Sequence, residues 1–317
     1  MSTVDPQARS FQEGPATYML PVSPSLIYLH FPSLSQSSHQ NDAQEWNRLD
    51  EMHKGIDAFL GHKLSYAPLS EDAKRILEIG WAPHNFLISL AHSLTYRSGS
   101  GAWAIQAAET YPDATVTAVD LSPLPPRPLP KNVTFLKLNI VEEELPFEPA
   151  SFDIIHTRFL LTHLPKWEDV VQRVTALLKP GGWLLVEDID HIALDDNGGA
   201  GPGVQKFYNI YHAFAATQNV DHMVGSKLEG TLKRLNLFSI VNGIEVKCPF
   251  HGGSNDPSLH ALGRTMRKSL ITVYKDLNPR LVAAGLTPEV QQGFFQEAGD
   301  RARGLYVKLY MTWSRKK

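Results

Sequence analysis

The sequence predicts an α/β fold with a mostly parallel seven-stranded sheet, an antiparallel edge strand and helices on both faces. From residue 75 onward, short apolar runs rich in β-branched residues alternate with segments of helical periodicity, which is typical of parallel β-α-β units. Two strand-like runs near the end of the chain are able to pair antiparallel at the sheet edge. Glycine or polar residues follow the first three runs, where ligands bind in such sheets.

Apolar spacing and turn residues predict the individual elements. Apolar side chains three to four residues apart predict a helix over 42–60, ended by Gly61. Residues 22–40 have no such period and are predicted to be irregular, and residues 179–182 (KPGG) are predicted to form a turn. The predicted strands cover residues 75–79, 114–120, 133–138, 152–156, 183–187, 238–247 and 305–314. The further predicted helices cover residues 101–111, 166–178, 204–217, 225–235 and, in several pieces, 257–300.

Composition narrows the class of protein. The chain has 317 residues, of which 43% are apolar, and a net charge of −3, so nothing in its charge favours a nucleic-acid or anionic-membrane partner. A single cysteine, Cys248, excludes an intrachain disulfide framework, and no cysteine and histidine group has the spacing of a zinc site. Without a secretory signal pattern or a long apolar run, we expect a cytoplasmic protein, with a nuclear location as the alternative.

Three strand ends carry residues that suit a nucleotide. Glu78 and Gly80 close the first strand, and Gly99 and Gly101 open the helix after it, where glycines allow a tight turn and close approach of a ligand to the backbone. Asp120 ends the second strand, where a carboxylate accepts both hydroxyls of a ribose or, alternatively, caps a turn.

Asn139 and Ile140 follow the third strand and are placed to meet the amino group and the face of an adenine, although taken singly they mostly indicate a turn. Because these features occur on successive strands, together they favour adenosine binding.

The same motifs resemble those of the class I S-adenosylmethionine-dependent methyltransferases, which have a Rossmann-like fold, and specifically the fungal LaeA-like branch associated with secondary metabolism. The resemblance extends from the leader to the core motifs at residues 41–53, 63–68, 99–105, 111–112, 120–122, 151–158 and 178–183. It implies the cofactor S-adenosyl-L-methionine. The residues that it implies for cofactor binding are Glu78, Gly80, Gly99, Gly101, Trp103, Asp120, Leu121, Asn139, Ile140 and His156. It divides the chain into an N-terminal leader and helical cap over 1–74 and a methyltransferase domain over 75–317.

The chain departs from this family in two places. Residues 81–98 separate Gly80 from Gly99, although the family's glycine motif is contiguous, and residues 22–40 interrupt the leader. The residues at both borders have codons that fit splice donors and acceptors, and removal of 81–97 restores the motif ILEIGSGSG. We therefore interpret 22–40 and 81–97 as retained introns or gene-model errors. A long inserted loop costs little closure entropy, but it separates the backbone N–H groups of Gly80 and Gly99. We therefore predict weak or no cofactor binding by the chain as printed.

Catalytic and substrate residues are less clearly marked. His156 is placed to line the cofactor or to act as a base, whereas Arg158 is expected to pair with a carboxylate and His163 to be structural. Phe207, Tyr211 and Phe214 have the spacing of a core stripe. The candidates for substrate contact are Tyr208, His212 and Asp188.

Three functions remain open from the sequence. The first is methyl transfer to an oxygen or nitrogen atom of a small molecule of the secondary-metabolite type. The second is a LaeA-type regulatory protein that acts through partner proteins. The third is an inactive, mis-spliced form that keeps the fold without binding the cofactor. A dehydrogenase is supported only by the glycine-rich loop, which both classes of enzyme share, because nothing else in the sequence indicates a nicotinamide site.

Overall fold

The computed structural model describes residues 35–80, 100–121, 124–250, 254–275 and 279–317, with side chains of the first helix described from residue 44. Gly99, the predicted insertion at 81–97 and most of the one at 22–40 lie outside these residues. No helix in the described ranges is long and apolar enough to cross a membrane.

A seven-stranded sheet forms the centre of the molecule, with strand order β3-β2-β1-β4-β5-β7-β6. Its first five strands run parallel to one another, and β7 pairs antiparallel with both β5 and β6. The strands are β1 (Arg75–Ile79), β2 (Thr115–Asp120), β3 (Val133–Lys137), β4 (Phe152–Arg158), β5 (Leu178–Leu194), β6 (Phe238–Pro249) and β7 (Tyr306–Lys316). The predicted α/β class and the antiparallel pairing near one edge are confirmed.

Eight α-helices surround the sheet in the described part of the chain. They are α1 (Ser35–Phe59), α2 (Ala102–Thr110), α3 (Trp167–Ala176), α4 (Pro202–Thr217), α5 (Gly225–Arg234), α6 (Pro257–Lys275), α7 (Pro279–Ala283) and α8 (Pro288–Gly299). On one face of the sheet, α2 buries Trp103 and Ala107 against Ile76 and Leu185. On the other face, α3 and α5 pack in a second apolar cluster. Helices therefore cover both faces, as predicted.

A third apolar core joins α1, α4, α6 and α8 to the ends of β5 and β7. It contains Ile56, Phe207, Leu262 and Phe294, each at most 1% exposed, together with Leu309 of β7. Because β5 ends where β7 begins, these helices lie over the carboxyl end of β5. We call this group the helical cap.

Two sequence predictions about local structure are wrong. Residues 35–40 belong to α1 rather than to an irregular segment. No proline lies between Pro32 and the end of α1, and each added residue extends a helix at little cost. Residues 179–182 lie within β5 rather than in a turn. Gly181 adopts a φ of 81°, and the register between β4 and β5 shifts at Phe152/Ile154, so the strand absorbs the glycines as an irregularity and continues.

Candidate functional site

Four charged side chains form a row across the carboxyl ends of β1, β4 and β5. The parallel register pairs Glu78 with His156 and Arg158 with Glu187, and side chains at paired positions share a face of the sheet. We call Glu78, His156, Glu187 and Arg158 the strand-end row. Sequence reasoning included Glu78 and His156 among the cofactor residues and expected Arg158 to pair with a carboxylate, which the structure shows.

The contacts within the strand-end row are continuous. His156 Nδ1 is hydrogen-bonded to Glu78 Oε2, and its Nε2 lies 3.8 Å from Glu187 Oε1. Arg158 Nε donates to Glu187 Oε2 at 2.5 Å, and its Nη1 donates to His53 Nδ1 of α1 at 3.0 Å. The row thus alternates acidic and basic groups and is covered from above by α1.

The buried charges of this row stabilise one another. Burial alone lowers the pKa of the fully buried His156, but the carboxylates of Glu78 and Glu187 outweigh that effect and raise it. Burial alone raises the pKa of Glu187, but the positive charges of Arg158 and His156 bring it down to about 2. Burial, assisted by the positive charge of Arg158, lowers the pKa of His53 to about 4. The two carboxylates therefore favour the protonated form of His156, whereas His53 is neutral at neutral pH.

Trp103 of α2 covers His156. The indole and imidazole rings are stacked, with centroids 3.9 Å apart and an interplanar angle of 6°. An indole face attracts a cation, so the stack suits a protonated imidazole. The indole Nε1 is also 3.5 Å from the backbone oxygen of Leu64. Three of the predicted cofactor residues, Glu78, Trp103 and His156, thus meet at one place.

Gly80 and Asp120 meet at the ends of the adjacent strands β1 and β2. Gly80 N donates to Val119 O at 2.9 Å, and a Cβ on Gly80 would lie only 2.8 Å from Asp120 Oδ2. No side chain is tolerated there without moving the carboxylate, which itself is 2% exposed. Leu121 follows Asp120 and is partly exposed.

Gly101, at the start of α2, has a φ of 72°, a conformation that only glycine adopts without strain. Gly99, its partner in the predicted glycine motif, lies outside the described residues.

These residues fit a nucleoside. A buried carboxylate at the end of β2 accepts hydrogen bonds from two ribose hydroxyls, and backbone without Cβ atoms at Gly80 and Gly101 admits close approach of a ligand. The fit is observed in the close approach of Gly80 to Asp120, because a Cβ at Gly80 would displace the carboxylate.

Asn139 and Ile140 are occupied with local structure. Asn139 Oδ1 accepts a hydrogen bond from Val141 N at 3.0 Å, and its Nδ2 donates to Glu142 at 2.9 Å. Ile140 is 2% exposed in the apolar cluster beside α3, and its backbone oxygen accepts from Arg173 at 2.9 Å. Their predicted contact with adenine stays a prediction.

The three candidates for substrate contact lie outside the strand-end row. Tyr208 is 1% exposed in the core of the helical cap, and His212 Nε2 is 2.6 Å from the backbone oxygen of His191. Asp188 points to the opposite face of β5 from Glu187, where its carboxylate accepts from Ile189 N at 2.9 Å and Thr162 N at 3.2 Å. Burial raises the pKa of Asp188 to about 7.

Sequence reasoning missed a second group of histidines. His191 follows Glu187 on the same face of β5, and its ring centroid lies 4.8 Å from that of His222 and 5.7 Å from that of His163. Tyr211 of α4 and Tyr274 of α6 complete the group. We call these five residues the histidine cluster.

No local sequence motif predicts the histidine cluster, because backbone pairing between segments distant in the sequence brings its residues together. The bridge between Asp190 and Met223, and the bond from His191 N to His222 O at 2.8 Å, bring His222 to the end of β5. Alternation along β5, which places His191 on the face of Glu187, was the one available signal.

Methyltransferases are among the known proteins of similar sequence. A family model described as "Methyltransferase domain" matches residues 49–237. The methyltransferase str3 of Strobilurus tenacellus is 42% identical over 278 residues, which cover 86% of this chain and 94% of that protein. The methyltransferase str2 of the same fungus is 40% identical over 256 residues, covering 81% of this chain and 86% of that one.

The secondary metabolism regulator laeA of Aspergillus flavus is also similar, at 30% identity over 196 residues that cover 61% of this chain and 48% of that protein. Together with the sheet topology, these similarities identify the family of the chain. It belongs to the S-adenosyl-L-methionine-dependent methyltransferases.

Proposed function

We propose that the protein transfers a methyl group from S-adenosyl-L-methionine to an oxygen or nitrogen atom of a small, secondary-metabolite-type molecule. The observation that carries this proposal is the helical cap, whose single apolar core joins α1, α4, α6 and α8 to the ends of β5 and β7. Helices packed over the strand ends favour an enclosed small acceptor over an exposed protein side chain. The similarity to str3 over 86% of the chain supports the same class.

When bound, S-adenosylmethionine supplies an electrophilic methyl carbon on a sulfonium. Residues of this chain hold the reactants in place and exclude water, which is the main task in such a displacement. Asp120 would accept the ribose hydroxyls, and Gly80 and Gly101 would leave the backbone accessible. Trp103 and the strand-end row would form the floor beneath the methionine half.

The raised pKa of His156 supports a positioning role for that residue. It lies between the carboxylates of Glu78 and Glu187 and beneath the ring of Trp103, with no exposed surface. The two carboxylates favour its protonated form, and a protonated imidazole has no lone pair with which to accept a proton. We infer that His156 orders the site and that a proton acceptor, where the substrate needs one, lies elsewhere.

A transfer assay tests the proposed function. The printed chain and a chain lacking 81–97 would be incubated with methyl-labelled S-adenosylmethionine and a panel of phenols and amines. We expect the shortened chain to label at least one acceptor and to bind S-adenosylhomocysteine about 100-fold more tightly than the printed chain, because its glycine backbone donors meet the ligand together.

The shortened chain carrying Asp120→Asn is the matched control, and its labelling should fall. Equal affinities of the printed and shortened chains would contradict the predicted effect of the insertion. A spliced transcript that still encodes residues 22–40 and 81–97 would contradict their interpretation as retained introns.

The regulatory alternative rests on the similarity to laeA, which is lower in identity and shorter than that to str3. Capture of nuclear partner proteins by the shortened chain, without labelling of any small molecule, would favour that alternative. Labelling of small molecules without stable partners would favour the enzyme.

A further inference from the structure

The histidine cluster buries polar nitrogens that the fold leaves unpaired. His191 Nδ1 is 3.0 Å from the hydroxyl of Tyr274, whereas its Nε2 has no hydrogen-bond partner among the described residues. His222 Nδ1 likewise lacks a partner there. The two residues are 5% and 4% exposed, so the protein itself screens these nitrogens from bulk water. Buried polar atoms without partners are rare in folded proteins and are costly, which marks them as positions for a ligand.

The chemistry of these nitrogens is that of neutral imidazoles. Burial lowers the pKa of both His191 and His222 well below the usual value. In the tautomer whose Nδ1–H donates to the Tyr274 hydroxyl, His191 Nε2 is a hydrogen-bond acceptor. A ligand group that donates a hydrogen bond and carries no charge suits this nitrogen, because a buried carboxylate or phosphate would need a cation.

The rings around the two nitrogens define the shape of the ligand. The ring of Tyr211 lies 4.6 Å from that of His222 and 5.9 Å from that of His191. His163, on the 3₁₀ turn after β4, lies 6.5 Å from His222 and is partly exposed, so it faces the solvent side of the cluster. Because the rings of Tyr211, His191 and His222 already contact one another, an aromatic ligand ring would lie on the side of the partly exposed His163.

Helix α1 connects this cluster to the strand-end row. Its His53 accepts from Arg158 of the row, and the positive charge of Arg48, after burial, contributes to lowering the pKa of His163 to about 4. These two residues of α1 are separated by roughly 7.5 Å along the helix axis, at about 1.5 Å per residue. The cluster therefore adjoins the row on the same side of the sheet.

We propose that the histidine cluster is the acceptor site of this methyltransferase and binds an aromatic alcohol, whose hydroxyl donates a hydrogen bond to His191 Nε2. His222 Nδ1 provides a second polar contact, and the aromatic ring lies beside His163 on the solvent side of the cluster. This assignment rests on the proposed function for its biological meaning, but binding of the alcohol is independent of the cofactor.

Optical titration of the full chain with 4-nitrophenol and with 4-nitroanisole, in the absence of cofactor and at an acidic pH at which the phenol keeps its hydrogen, tests the proposal. The two probes share a ring, but the ether has no hydroxyl hydrogen. We expect 4-nitrophenol to bind about tenfold more tightly, because only it pairs with the buried nitrogen. The substitution His191→Phe should reduce this preference to about twofold or less.

Two further variants make the result specific. His260→Phe makes the same chemical change on the exposed first turn of α6 and should keep the full preference. His191→Gln retains a polar atom near the position of Nε2 and should restore most of it, which separates loss of the contact from loss of the fold. Equal binding of the two probes, no saturable binding of 4-nitrophenol, or an unchanged preference in His191→Phe would each overturn the proposal.

The outcome is distinguishable from failure of the proposed function. A preference that depends on His191, without methyl transfer to any acceptor, would keep this site and reject the function. Methyl transfer combined with an unchanged binding preference in His191→Phe would support the proposed function and reject this site.

Discussion

The strand-end row and the histidine cluster bury the same residue type on one side of the sheet with opposite results. In the row, His156 lies between two carboxylates, and its pKa is raised. In the cluster, His191 and His222 have other histidines and tyrosines as neighbours, and burial lowers their pKa values. The neighbours that strand register brings together, rather than burial itself, therefore decide whether the pKa of a buried histidine is raised or lowered.

Of the substitutions considered, removal of a carboxylate from the strand-end row should lower the stability of the protein most. We expect Glu187→Gln to lower the free energy of unfolding by about 3 kcal/mol at pH 7, because Arg158 loses its buried partner. The pKa of Glu187 is depressed in the folded state to about 2, so its contribution is present above pH 4.5 and is lost as the pH falls toward 2. Urea unfolding of both proteins between pH 7 and pH 3 measures this difference.

The matched control is Glu229→Gln, which removes a carboxylate from an exposed pair with Lys233. Its effect should be about 0.5 kcal/mol or less, because exposed ion pairs contribute little. A Glu187→Gln variant as stable as this control at pH 7 would show that the row is not a compensated network.

A smaller and opposite pH dependence should arise beneath the histidine cluster. Asp188 holds the backbone of Thr162 next to His163, and burial raises its pKa to about 7. Its folded pKa exceeds the unfolded value, so its stabilising contribution is complete below about pH 3.8 and is lost as the pH rises through 7. Asp188→Asn has no ionisable group at this position, so the variant should not lose stability as the pH rises through 7.

Relative to the parent protein, Asp188→Asn should therefore gain about 2 kcal/mol in unfolding free energy between pH 5.5 and pH 8. Asp113→Asn, at a carboxylate that is 88% exposed, should show no such change. A constant difference between Asp188→Asn and its parent across this range would mean that Asp188 does not titrate there.

Much of the fold could be predicted from the sequence, because its signals are local. The alternation of apolar strands with amphipathic helices can be read directly from the sequence. The acidic residues and glycines at the ends of β1 and β2 indicate the edge of the sheet at which we propose that the cofactor binds. The start of α1 and the continuation of β5 through residues 179–182 were mispredicted, because helix propagation and sheet pairing override weak local breakers.

The candidate site divides in the same way. Glu78 and Asp120 end predicted strands, so their side of the sheet followed from topology. The contact of Trp103 with His156 and the assembly of His163, His191 and His222 depend on packing between distant segments, which no spacing in the sequence encodes. Asp188 was a candidate for substrate contact because it ends a strand, but its carboxylate faces the other side.

The most direct test of the account is calorimetric titration of S-adenosylhomocysteine into the chain lacking 81–97, with and without Asp120→Asn. The account predicts that Asp120→Asn weakens binding at least about tenfold, because two hydrogen bonds to a charged acceptor are lost or weakened. Asp113→Asn and His191→Phe should leave the affinity unchanged. Binding by Asp120→Asn within twofold of its parent would contradict the assignment of the strand ends to the cofactor.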